Sequence, residues 1–235
     1  MCQFKSAVVG RTGEIYHHWS TDGHEDIIEM FGLSEAYICH VEFSSTTYEP
    51  ANIESYALRV DEREEPAWFD EYRERVTKDM GRLVAGMMVR ENTRILRGGK
   101  WILVGDVEVG KCLSGCLIEY AGNATIRDAN NATIRDAGNA TIENANNATI
   151  RYADNATIRY AGNATIRDAG NATIRDAGNA TIRYANNATI EYAGNATIEY
   201  ANNATIRYAN NATIRYAGNA TIRDAGNATI VNRDA

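Results

Sequence analysis

The sequence predicts a mixed fold, a small α+β region followed by a right-handed parallel β-solenoid. Its composition changes sharply near residue 120, and every His, Cys, Trp, Pro and Met precedes that point. An eight-residue repeat then runs at a fixed period, and its apolar and polar residues alternate as in a strand with one buried side. We therefore divide the chain into residues 1–100, 101–121 and 122–235.

Residues 1–100 have the pattern of a compact α+β module that caps the solenoid. Asp22 and Glu25 have the spacing of a capping box, which predicts that a helix begins there. Pro66 precedes a longer amphipathic pattern, which predicts a second helix. The predicted strands cover residues 3–9, 14–19, 36–44 and 54–61, and the first helix covers about 23–31.

Residues 101–121 are predicted to be strands that merge into the repeat. Residues 115–121 form a degenerate unit in which Cys116 takes an inward alanine position, so a buried small side chain explains this cysteine without chemistry. Cys112 and Cys116 have no neighbouring His, and a zinc site there is therefore not favoured.

The repeat itself begins at Gly122. Its unit reads (Gly/Asn/Asp)-Asn-Ala-Thr-Ile-(Arg/Glu)-(Asp/Tyr/Asn)-Ala, and the Asn-Ala-Thr triplet recurs every eight residues. A strand places Ala and Ile on one face and Asn, Thr and Arg on the other. The apolar face is predicted to lie inside, and the Asn residues of stacked coils are predicted to form hydrogen-bonded ladders.

Position one of the unit predicts the corner between strands, because Gly, Asn and Asp tolerate a left-handed backbone. The number of sides per coil follows from packing. Three sides of 24 residues would enclose a prism that Ile and Ala underfill, whereas two sides of 16 residues make a thin, close-packed core. We favour two sides and keep three as the alternative.

This architecture is similar to that of repeats-in-toxin β-rolls and pentapeptide-repeat proteins. The resemblance covers stacked coils with small inward residues, and no named family is implied for residues 1–100. The calcium-binding β-roll unit, Gly-Gly-x-Gly-x-Asp, does not occur here, so neither calcium nor another metal or cofactor is predicted.

Charge and composition limit the function classes. Residues 122–235 carry 11 Arg against 10 acidic residues, so the total of −7 leaves −8 on residues 1–121. Neither part is basic enough to indicate nucleic-acid binding from net charge alone. The absence of a signal-peptide pattern or a membrane-span pattern predicts a cytoplasmic protein with free thiols.

The outer surface carries the candidate binding residues. Positions six and seven vary between units, and Arg and Tyr dominate them over residues 183–216. Such a stripe can stack on a partner, or its Tyr rows can stack on themselves while acidic neighbours balance the Arg rows. The candidate surface comprises Arg183, Tyr184, Tyr192, Tyr200, Arg207, Tyr208, Arg215 and Tyr216.

Catalysis is the weaker hypothesis. Removal of Met1 would expose Cys2 as an N-terminal nucleophile, and the Met-Cys start resembles that of glutamine amidotransferases. The resemblance implies a Cys-dependent hydrolase or amidotransferase with the solenoid as a spacer. Its candidate residues are Cys2, His17, His18, Asp22 and His24.

The favoured hypothesis is a non-catalytic interaction or scaffolding protein of bacterial or phage type. A protein is the favoured partner, nucleic acid is possible but less favoured, and a membrane is not predicted. Ile230 and Val231 lie in the last unit, where Val replaces the usual Arg. An outward Val predicts a homodimer through the C-terminal coil.

Overall fold

The computed structural model describes residues 4–47 and 49–231. These divide into a first unit that ends at residue 88 and a second unit that begins at residue 89. Among the described residues no helix is both long and apolar enough to cross a membrane.

The first unit is a four-stranded antiparallel sheet with strand order β2-β1-β3-β4 and two α-helices. Every residue of β1 from Lys5 to Val9 is buried, which indicates that both faces of this central strand are covered. Val8 packs with Ile27 of the first helix. The elements are β1 (Phe4–Gly10), β2 (Ile15–Tyr16), α1 (His24–Phe31), β3 (Ile38–Ser45), β4 (Tyr56–Val60) and α2 (Arg73–Met87), with 3-10 turns at Glu35–Tyr37, Ile53–Ser55 and Phe69–Glu71.

The predicted capping box at the start of α1 is wrong. Gly23 is the N-cap residue, and no side chain caps the helix. Asp22 pairs instead with the ammonium group of buried Lys5, at 3.4 Å. A buried ammonium needs oxygen partners more than an exposed helix end does, and the cation therefore competes for this carboxylate.

The second unit is a two-sheet parallel β-solenoid of about nine turns with 16-residue coils, which confirms the two-sided prediction. Consecutive repeat units alternate between the sheets, so Thr125 pairs with Thr141 and Ile126 with Ile142. One sheet contains β6 (Thr93–Leu96), β8 (Glu108–Cys112), β10 (Thr125–Asp128), β12 (Thr141–Asn144), β14 (Thr157–Tyr160), β16 (Thr173–Asp176), β18 (Thr189–Tyr192), β20 (Thr205–Tyr208) and β22 (Thr221–Asp224). The other contains β5 (Met88–Val89), β7 (Gly99–Leu103), β9 (Cys116–Tyr120), β11 (Thr133–Asp136), β13 (Thr149–Tyr152), β15 (Thr165–Asp168), β17 (Thr181–Tyr184), β19 (Thr197–Glu199), β21 (Thr213–Arg215) and β23 (Thr229–Val231).

The solenoid core contains the Ile and the two Ala residues of each unit, as the alternation predicted. From Ala121 to Ile214 these side chains are no more than 1% exposed. Cys112 and Cys116 continue the same core at its N-terminal end, where both are buried. Burial raises the pKa of the Cys39 thiol in the first unit to about 12, and this thiol is therefore protonated at neutral pH.

Most of the described corners use one of two arrangements of the backbone. Where position one is Gly, that glycine has a positive φ, as at Gly194 with φ 59°. At four Asn-Asn corners the positive φ moves to position two, as at Asn187 with φ 57°. The predicted Asn ladder forms along one corner, where side-chain amides at positions 147, 163, 179, 195 and 211 bond in series at 3.0–3.3 Å.

Replacing Gly194 by Ala should lower the free energy of unfolding by about 1–2 kcal/mol, since a Cβ atom would combine a positive φ with a close contact. That atom would lie 2.5 Å from the carbonyl oxygen of Gly178. Asn186 occupies the same repeat position without a positive φ, and Asn186→Ala should change stability by less than about 0.5 kcal/mol. Denaturant titration of both variants measures the difference, and equal losses would contradict this account of the corners.

Replacing core Ile174 by Asp should destabilise the protein by about 4 kcal/mol or more, because it buries an unpaired charge. Its neighbour Arg175 is 59% exposed, and Arg175→Ala should cost less than about 0.5 kcal/mol. Melting temperatures compare the two variants. A similar melting temperature for both would show that the inside and outside faces are assigned wrongly.

Candidate interaction surfaces

Each sheet presents two parallel rows of side chains on its outer face. Thr at position four and Arg or Glu at position six both point outward, with the buried Ile between them. In-register pairing stacks each repeat position on the same position of the next coil, at about 4.8 Å per coil. We call the outer face of the sheet with the odd-numbered strands from β11 to β23 the arginine face. The outer face of the sheet with the even-numbered strands from β10 to β22 is the mixed face.

The arginine face carries four consecutive arginines, Arg135, Arg151, Arg167 and Arg183. A glutamate bounds the row at each end. Glu119 is buried between Lys100 at 3.1 Å and Arg135 at 2.9 Å. At the other end, Glu199 pairs with Arg215 at 3.3 Å.

Three of these four arginines have no acidic partner among the described residues. Within the part of the chain that the structure describes, no carboxylate lies within 4.0 Å of Arg151, Arg167 or Arg183. The Nε atom of Arg151 is buried and has no hydrogen-bond partner among the described residues. Like charges stacked at this spacing repel, so the row carries an electrostatic cost.

The mixed face distributes the same residue types differently. Glu143 and Glu191 interrupt its row, so no more than two arginines are adjacent there. Glu191 lies 3.7 Å from Arg175 and 3.3 Å from Arg207. Glu108 of β8, which is in register with Thr125, pairs with Arg127 at 2.6 Å. This face is therefore better neutralised than the arginine face.

An open groove runs between the Thr row and the Arg row of each face. On the arginine face it encloses about 720 Å³, with Thr149 and Thr165 on one wall, Arg151 and Arg167 on the other, and Ile166 in its lining. The corresponding groove of the mixed face encloses about 460 Å³. The larger groove thus coincides with the unneutralised arginines.

The tyrosines of the predicted stripe stack on one another. Tyr184, Tyr200 and Tyr216 form one ladder with ring centroids 5.0 and 4.8 Å apart, and Tyr192 and Tyr208 form a second at 5.0 Å. The predicted Arg/Tyr stripe does not form one surface, because consecutive repeat units lie in different sheets. Arg183 and Arg215 belong to the arginine face, and Arg207 belongs to the mixed face.

Two rungs of the longer Tyr ladder depart from the strand geometry. Tyr200 and Tyr216 have φ of 52° and 55°, which is uncommon for a bulky residue. Strands β19 and β21 accordingly end one residue early. The sequence carried no signal for this change, because other units with Tyr at the same position keep the regular strand.

The histidine candidates of the first unit lie in two environments. His17 is half-buried, and burial, together with the charges of Lys5 and His18, lowers its pKa. His18 Nδ1 lies 2.7 Å from Ser20 Oγ. The second environment contains His24, whose ring stacks on that of His40 with ring centroids 4.8 Å apart. His40 was not among the candidate catalytic residues.

Two acidic residues that follow β4 lie beside the stacked pair of His24 and His40. Asp61 lies 3.7 Å from His24 Nδ1, and Glu62 lies 3.0 Å from His40 Nδ1. Among residues 4–47 and 49–231, no group of three or more His, Cys, Asp or Glu side chains is arranged to hold a metal ion. Cys2 lies outside the described residues, and its role as a nucleophile stays a prediction.

The last described coil is more exposed than the others. Ile230 is 41% exposed and Val231 37% exposed, whereas Ile214 one coil earlier is fully buried. The predicted contact between two copies through this coil stays a prediction.

In comparisons with protein families, with curated proteins and with solved structures, nothing matches this chain.

The uncompensated row predicts that Arg167→Gln raises the melting temperature at low ionic strength, because it removes repulsion worth roughly a few tenths of a kcal/mol. Arg215→Gln removes the same charge from an ion pair with Glu199 and should leave the melting temperature unchanged or lower it. Thermal melts of both variants at low and high salt provide the measurement. A lower melting temperature for Arg167→Gln at low salt would contradict repulsion within the row.

Proposed function

We propose that this chain is a non-catalytic binding or scaffolding protein, and that the arginine face of the solenoid presents its main binding surface to an anionic macromolecular partner. One observation carries the proposal. Four arginines stand in consecutive coils beside an open groove, and three of them have no carboxylate within reach among the described residues.

The distribution of sequence variation supports a surface role. The inward Ala and Ile positions are the same in every unit from Ala124 to Ile230, while the outward positions six and seven differ between units. A constant core fixes the spacing of the coils, so the outward side chains are held on a rigid frame. Such a frame suits recognition of an extended partner more than it suits a concave catalytic pocket.

The partner must supply negative charge. The sequence favoured a protein partner, and an acidic protein segment would neutralise the row. Nucleic acid is less favoured because single-strand binding commonly uses open aromatic faces for base stacking. The Tyr rings at 184, 200 and 216 already stack on one another.

A carboxylate-bearing cation-exchange resin tests this proposal. The whole chain has a formal net charge of −7, so average charge predicts flow-through at pH 7, whereas a localised row predicts retention at low salt. The double variant Arg151→Gln/Arg167→Gln should lose this retention.

The double variant Arg127→Gln/Arg207→Gln, whose arginines both lie on the mixed face, is the matched control. It removes the same formal charge from arginines that are paired with Glu108 and Glu191, and it should still be retained. If the wild type flows through, or if both double variants lose retention equally, the arginine face is not the binding surface.

A further inference from the structure

Two cysteines replace the two alanines that flank a corner of the regular repeat. Cys112 takes the position of Ala129 in the next coil, by the register of β8 with β10. Cys116 takes the position of Ala132, by the register of β9 with β11. The two cysteines are 1% and 2% exposed, and both belong to the solenoid core. Since β8 and β9 lie in different sheets, the pair spans the corner that joins the two sheets.

This corner is one residue longer than the regular corner. Three residues separate the two cysteines, whereas two residues separate the alanines of the regular corner. The amide of Cys116 donates to the carbonyl oxygen of Leu113 at 3.1 Å and closes the turn. Ser114 and Gly115 at its tip are exposed. A local opening of this tip, without unfolding of the solenoid, can therefore admit a small reagent to the buried thiols.

The two thiols are hydrogen-bonded to each other, with Cys112 as the donor. This bond raises the pKa of the Cys112 thiol and lowers the pKa of the Cys116 thiol. Because oxidants attack the thiolate, Cys116 is the more reactive member of the pair. Cys39 differs from both, since burial raises its pKa to about 12 and its thiol donates to the carbonyl oxygen of His40.

We infer that Cys112 and Cys116 form a modification site for hydrogen peroxide, which converts the thiol pair into a disulfide that joins β8 to β9. The Cys116 thiolate attacks one peroxide oxygen, the O–O bond breaks, and hydroxide leaves as a sulfenic acid forms on Cys116. The sulfur of Cys112 then attacks the sulfenic sulfur, the S–O bond breaks, and water leaves with the thiol proton. Two thiols are oxidised and one peroxide is reduced to water.

The inference is independent of the proposed function, because it uses the core of the solenoid and not its arginine face. Peroxide treatment of the full chain, then alkylation under denaturing conditions and tryptic mass mapping, tests it. Both cysteines lie in one tryptic peptide, residues 112–127. This peptide should lose two hydrogens and take up no alkylating reagent, and a reductant should restore both thiols. Cys39, on another peptide, is the internal control and should react roughly tenfold more slowly.

The variants Cys112→Ala and Cys116→Ala separate the two roles. Alanine is the buried residue at the equivalent positions of the regular coils, so both variants should fold. In Cys112→Ala, Cys116 should proceed to sulfinic acid, because no thiol is left to form the disulfide. In Cys116→Ala, Cys112 should react roughly tenfold more slowly than Cys116 does in the wild type. An equal rate would show that Cys116 is not the attacking thiolate.

Hydrogen exchange measures what the disulfide does to the corner. The amide of Cys116, which closes the turn, should exchange roughly tenfold more slowly after oxidation, because the cross-link restrains local opening. Peroxide-treated Cys112→Ala should show no such slowing. If peroxide leaves both thiols of the wild type free, produces sulfinic acid on Cys116 instead of a disulfide, or oxidises Cys39 equally fast, the inference is wrong.

Discussion

In-register parallel stacking at a 16-residue period is the constraint on which the solenoid depends. It places each repeat position against the same position of the next coil, so Ile126 lies beside Ile142 and Thr125 beside Thr141. The effect depends on chemistry. Apolar stacks gain burial, Asn stacks gain hydrogen bonds, and Tyr stacks gain ring contacts, whereas neighbouring Arg side chains repel one another. The same geometry thus stabilises the core and strains the surface.

Close approach of successive coils also dictates the corners. Backbone atoms of neighbouring corners nearly touch, as at Gly194, where a Cβ atom would lie 2.5 Å from the carbonyl oxygen of Gly178. The chain satisfies this at most corners with Gly at position one or with a positive φ at the following Asn, whereas Asn210 takes a positive φ at position one and the corner at Asp154 has no positive φ. Both arrangements close a turn in which the amide of position three bonds the carbonyl of the preceding Ala, as from Ala124 to Ala121. The alternation of Gly and Asn therefore leaves the strand register unchanged.

The repeat made the solenoid predictable because one short unit determines strand, face and corner together. Two sides followed from the small volume of Ile and Ala. In contrast, the start of α1 could not be predicted from its local sequence. The carboxylate of Asp22 pairs with the buried ammonium group of Lys5, which lies in an earlier strand. The pairing of Lys100 with Glu119 was equally hidden, since a register irregularity between Trp101 and Ile102 precedes the regular coils. Ion pairs between residues that are distant in the sequence leave no periodic pattern from which they could be predicted.

The placement of three glutamates explains why the two faces differ. Odd and even repeat units belong to different sheets, so Glu143 and Glu191 both fall on the mixed face and only Glu199 falls on the arginine face. One further glutamate in place of Arg151 or Arg167 would have balanced the row within the same repeat alphabet. An unrelieved row costs stability in the isolated chain, and an anionic partner would recover that energy on binding. The repulsion and the proposed recognition thus have one physical origin.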